Sequence, residues 1–171
     1  MTDQVEQIAR EWADRLPGLD PSPMLIVGRI QRLTALWDMD LRRPFADAGL
    51  CPGDFDVLAA LRRLDAPATL TQLAGGMLVT AGAITKRIDR LIAEGLATRT
   101  VSPDDGRSRL VQITAQGVEL TDQLIETHLG NEQALISCLT EDEHESLRRT
   151  LERLLEDAES RHDGSLRGGH R

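Results

Sequence analysis

A mainly α-helical chain with one small β-hairpin is predicted, on three observations. Projected at about 100° per residue, Ile84, Ile88, Leu91 and Ile92 share an arc about 100° wide, the buried stripe of a surface helix. Just upstream, Thr69-Leu70-Thr71-Gln72 has the form of a capping box opening a short helix, Leu70 to Gly75, that stops at the Gly75-Gly76 pair. Downstream of Gly95, Leu96 to Val101 and Arg109 to Thr114 alternate as strands around the turn formers Ser102-Pro103-Asp104-Asp105-Gly106. Two short helices in tandem followed by a hairpin are the layout of a winged helix-turn-helix.

The remaining elements follow in order. Asp3 to Leu16 places Val5, Ile8, Ala9, Trp12 and Leu16 on one face, a stripe with nothing to bury against inside a single winged domain. Pro17 to Pro23 is a linker; Ser22 then caps a long helix to about Asp47, with Pro23 at its first position. Pro52 starts a helix to about Leu64. After the hairpin, Thr114 opens a helix to about Leu139. Thr140-Glu141-Asp142-Glu143 is a second capping box, leading a helix with Leu147, Leu151, Leu154 and Ala158 at seam spacing. Long terminal helices with unspent apolar stripes imply a homodimer. The expected organisation is an extra N-terminal helix and linker (1–23), a dimerisation helix (24–50), the winged domain (51–115), C-terminal dimerisation helices (116–162) and a Gly-rich disordered tail (163–171).

Double-stranded DNA is the partner this layout implies. Thr80 is an N-cap, and the small residues Ala81, Gly82 and Ala83 let the helix start approach a major-groove floor. Thr85, Lys86 and Arg90 are the contacts that follow it, with Lys86 and Arg90 opposite the apolar stripe and within reach of phosphates or base edges. Arg107 at the hairpin tip suits a minor groove, Asp105 is placed to hold its guanidinium, and Arg109 lies beside it on the returning strand. For an isolated helix or hairpin these charges would be an ordinary solvated face; the tandem context favours DNA.

The net charge of −8 argues against nucleic acid until its distribution is considered. Residues 80–115 carry a net +2, and residues 116–160 carry twelve acids against three arginines. Acidic C-terminal helices repel DNA and leave the winged part as the contact surface. No apolar run approaches the roughly 20 residues of a membrane span, and no signal peptide is visible, so a cytoplasmic protein without membrane contact is expected. Cys51 and Cys138 have no metal-ligand spacing, and no nucleophilic triad, phosphate loop or cofactor motif stands out, so neither an enzyme, nor a metal site, nor a cofactor is expected.

The pattern resembles the MarR family of bacterial transcriptional regulators. Asp105-Gly106-Arg107 sits where that family carries its D-x-R wing motif, and Leu110 to Gly117 is similar to the LVxLTxxG run that follows it. Within the family the likeness is to the urate-responsive PecS and HucR type, on the extra helix carrying Trp12, Ser22-Pro23-Met24, the GDFDVLAALRR run from Gly53 and TKRIDRL from Thr85.

Arg87 lies about 85° from the centre of the buried stripe and so points sideways, where a half-buried arginine needs an acidic partner. Asp56 is the candidate, with room left by Ala59 and Ala60; Arg99, alternating with Ala97 and Val101, leans inward from its strand. On angle alone, the alternative that Arg87 and Arg99 touch phosphates and Asp56 is a first-turn charge stands level. The resemblance implies the former: it places Trp12, Asp56, Arg87 and Arg99 around a pocket for a small anionic ligand, urate or a related purine, with other organic acids or phenolic compounds as further candidates. Thr98 departs from the acidic residue that often precedes the arginine there. The implied function is a repressor that binds a pseudo-palindromic operator as a homodimer and is released by that ligand. Two alternatives are a winged-helix protein-interaction module without specific DNA binding, and an oxidant sensor acting through Cys51.

Overall fold

The computed structural model describes residues 3–51, 53–75, 81–103 and 108–168, with the side chains of 81–83 and 162–168 outside the description. The chain divides into two compact units, residues 1–131 and 132–171.

Helix α1 (Gln4–Arg15) starts where Asp3 accepts the Glu6 N–H at 2.9 Å. It docks on α2 (Ser22–Asp47) through Val5, whose Cγ1 would lie 2.9 Å from a Cβ on Gly28. Arg29 locks the pair, donating to Asp3 and Glu6 at 2.9 Å each. Ser22 is not the cap of α2: the cap is Pro21, and Ser22 is the first helical residue, its N–H and hydroxyl both taken by Asp20. Asp20 supplies the acceptor that a serine cap would have supplied.

Beyond α2 come α3 (Asp54–Leu64), β1 (Ala68–Thr69), α4 (Leu70–Gly75) and α5 (Ala81–Ala93). The wing strands are β2 (Ala97–Val101) and β3 (Arg109–Ile113), and α6 (Ala115–Leu135) follows. The Thr69 capping box forms as read: Gln72 accepts from Thr69 N–H at 2.8 Å, and Gln72 N–H donates to the threonine hydroxyl. Gly95 adopts φ +74, and Leu96 N–H returns to the Leu91 carbonyl at 2.9 Å, ending α5 in a Schellman turn. The antiparallel sheet runs β1-β3-β2, with Arg99 opposite Val111, and Ser102 N–H to the Ser108 carbonyl at 3.0 Å closes the base of the wing.

The core sits where α3, α5 and the sheet meet. Leu58, Leu61, Leu73, Ile84, Ile88, Leu91 and Val111 are almost fully buried there. Leu124 of α6 joins the same core, and Arg62 forks onto Asp122 at 2.8 and 3.1 Å. The aliphatics Ile26, Val27, Ile30, Leu33 and Leu36 of α2 are exposed, and α2 has no buried residue.

In the second unit α7 (Glu141–Gly168) opens on the Thr140–Glu143 capping box, with Thr140 N–H to Glu143 at 2.9 Å. Leu147, Leu151 and Leu154 are exposed along it. The helix runs on to Gly168, past the boundary expected at residue 162. Elongation adds one hydrogen bond per residue once a helix is under way, which offsets the low propensity of an isolated glycine.

Candidate nucleic-acid interface and effector cavity

Helices α4 and α5 form the expected tandem, and the face of α5 away from the core displays Thr85 and Lys86 to solvent. Arg109 is exposed on β3, with one guanidinium nitrogen 3.4 Å from the Ser108 carbonyl. Thr80, Asp105 and Arg107 lie outside the described residues, as do the Ala81 and Gly82 side chains.

Arg90, expected as a DNA contact, is ion-paired to Asp54 in this structure. Its Nε and Nη2 donate to the two oxygens of Asp54 at 2.9 and 2.5 Å, and Asp54 is completely buried at the start of α3. The arginine is long enough to reach round the flank of α5, and a buried carboxylate attracts it more strongly than water does. That hydrogen-bonded pairing also raises the Arg90 pKa above the ordinary arginine value.

The four proposed ligand residues are only partly brought together. Asp56 and Arg87 line one cavity of about 360 Å³, along with Arg42, Phe45, Leu50 and Phe55. Phe45 and Phe55 stack at 4.3 Å between ring centroids, giving the cavity an aromatic wall. No ion pair joins Asp56 to Arg87 among the described residues; Arg87 Nη1 instead donates to the Gly53 carbonyl at 3.4 Å. Gly53 makes that approach possible, because a Cβ there would stand 2.1 Å from the Arg87 guanidinium carbon, and its φ of +82 suits glycine.

Arg99 does not lean inward: its residue is exposed, and it pairs with Asp89 of α5 at 2.8 Å. Trp12 does not line the cavity either, since α1 turns Val5 and Ala9 toward α2 and leaves Trp12 46 % exposed. Arg42, which the sequence did not single out, is the second cation on the cavity wall and pairs with Asp38 at 2.6 Å. Cys51 and Cys138 are both exposed free thiols. No helix among the described residues is long and apolar enough to cross a membrane.

Comparison with known proteins agrees with this geometry. The MarR family model matches residues 48–108. The transcriptional regulator PecS of Dickeya dadantii is 33 % identical over 153 residues, covering 88 % of this chain and 92 % of PecS. The regulator MhqR of Bacillus subtilis is 35 % identical over 107 residues, covering 62 % of this chain and 72 % of MhqR. A cysteine-to-serine variant of MarR from Escherichia coli, solved in complex with operator DNA, superposes with a TM-score of 0.66 at 29 % identity, over 75 % of this chain and 93 % of that one.

Proposed function

Because this chain belongs to the MarR family, whose members are transcriptional regulators and not enzymes, we propose that it is a homodimeric repressor. Each protomer sets the N-terminal part of α5, with Thr85 and Lys86, into a major groove, and the wing with Arg107 and Arg109 into the flanking minor groove. The observation that carries this reading is the core-anchored α4–α5 tandem with its polar face outward, in a fold whose E. coli relative is solved on operator DNA. The exposed stripes of α1 and α2 and of α7 supply the apolar surface a second copy would cover.

The effector reading rests on the cavity between Arg87 and the Phe45–Phe55 stack. Its volume of about 360 Å³ suits a small molecule, two arginines against the single carboxylate of Asp56 favour an anion, and the stacked rings favour a flat one. Urate or a related purine has that chemistry. Binding would draw the Arg87 guanidinium off the Gly53 carbonyl and so act on the recognition helix, a shift set by the ligand's differential affinity for the two states.

The test is fluorescence anisotropy on a selected operator duplex. Lys86→Ala and Arg107→Ala should each weaken binding with folding unchanged, and loss of a phosphate contact lowers the salt slope by about 0.9. Urate should release wild-type protein, and Arg87→Lys should bind DNA but respond less. Unchanged binding in both alanine variants would discard the docking mode; no urate response would discard the purine and leave the regulator.

A further inference from the structure

Two arginines one turn apart on α5 are held by the short segment that leads from α2 into α3. Arg87 makes a single bond of 3.4 Å to the neutral carbonyl oxygen of Gly53. Arg90 makes two charge-assisted bonds to Asp54, whose side chain also accepts the Cys51 N–H at 2.9 Å. Asp54 therefore has three donors and no solvent, and among the described residues it is the one fully buried acid. A buried carboxylate is kept in such a place only when its partners are fixed in direction as well as in charge.

The remaining contact between α3 and α5 is apolar. Leu58 and Leu61 on one side and Ile84, Ile88 and Leu91 on the other resist separation, but methyl groups packed on methyl groups set no direction and resist rotation or sliding weakly. The guanidinium fork supplies the missing restraint. Arg90 lies four residues after Lys86, on the same flank of the helix, so fixing the former fixes the angle at which Thr85 and Lys86 are displayed.

We propose that Asp54, acting through Arg90, is a positioning residue for DNA readout: it sets the rotation and axial position of the recognition helix, and Arg90 serves inward rather than touching the duplex. This rests on the DNA-binding reading above and is independent of the effector. Its sign separates it from simple electrostatics. Asp54→Asn removes a negative charge and frees Arg90, both of which would tighten binding to phosphates if charge alone mattered. A positioning role predicts weaker binding to the operator.

The experiment compares the full-length protein with Asp54→Asn and Arg90→Lys on a selected operator duplex and on an unrelated duplex of equal length. A phosphate contact survives replacement of arginine by lysine, whereas a two-pronged fork does not. The ratio of operator to unrelated binding should fall about tenfold in both variants, equivalent to ~1.4 kcal/mol, while unrelated binding stays equal or tightens and helical circular dichroism is retained. An unchanged or higher ratio in a folded Asp54→Asn variant overturns the proposal. If that variant does not fold, Arg90→Lys decides alone, an unchanged ratio again overturning it. Loss of discrimination already in the unsubstituted protein overturns the DNA-binding reading, and the positioning role with it.

Discussion

A methyl group on Gly117 would stand 2.2 Å from the carbonyl oxygen of Leu96 and 2.8 Å from Ile113 Cγ1, so the start of α6 crosses the end of the wing with no room to spare. Gly117→Ala should therefore destabilise the protein by about 1–3 kcal/mol, seen as a lower urea midpoint with an unchanged slope. An unaltered midpoint would mean that the crossing is looser than described. The glycine was visible in the sequence as part of a motif, but its reason was not, because the reason is a backbone atom twenty-one positions away. The same limit explains Arg90 and Arg99. Helical angle correctly placed Arg90 away from the apolar stripe, but could not reveal that Asp54 would be buried within reach of it. Strand alternation pointed Arg99 inward, and the charge of Asp89 at 2.8 Å holds it at the surface. Angle reports where a side chain starts; for arginine the partner decides where it ends.

Elements with strong punctuation were read closely. The two capping boxes, at Thr69 and Thr140, and the Gly95 stop of α5 all form, because each is a local arrangement of three to five residues that needs no tertiary help. Strand β1 was missed: two residues have no periodicity, and Ala68 and Thr69 become a strand only by pairing with Val111 and Leu110. The C-terminal extent of α7 was missed for the opposite reason, since its glycines suggested a stop that helix elongation overrode. The start of that helix gives a pH prediction. Bonds from Arg148 and then Arg149 lower the Glu145 pKa from the ordinary 4.5 to about 2, and the Thr140 N–H lowers that of Glu143. Carboxyls with depressed pKa values stabilise the helix start fully above their unfolded values near 4.5 and lose that contribution as pH falls toward about 2. Helical circular dichroism should decline over that range, and Glu145→Gln should decline less; superimposable curves would show that these bonds do not hold the helix end.

The exposed apolar surface is too extensive for the two units to be satisfied alone. Trp12, Ile26, Val27, Ile30, Leu33, Leu36 and Met39 are all exposed on α1 and α2, and Leu147, Leu151, Leu154 and Leu155 are exposed along α7. Association of two copies would remove such stripes from water, and a two-fold dimer would present two recognition helices to a duplex with matching symmetry. Sedimentation should find a dimer at micromolar concentration, with Leu33→Asp shifting it toward monomer; a monomeric wild type would remove the basis for a palindromic site. The net charge of −8 then has a consequence: most of the molecule repels DNA, so only correct docking of the α5 and wing surface gives net attraction. Selection of bound duplexes from a random pool is accordingly the decisive measurement. Enrichment of an inverted repeat, with half-sites about 10 base pairs apart from centre to centre and binding that weakens steeply with salt, is the predicted result. Recovery of no common sequence, or of sequences bound equally by the Lys86→Ala and Arg107→Ala variants, would contradict it.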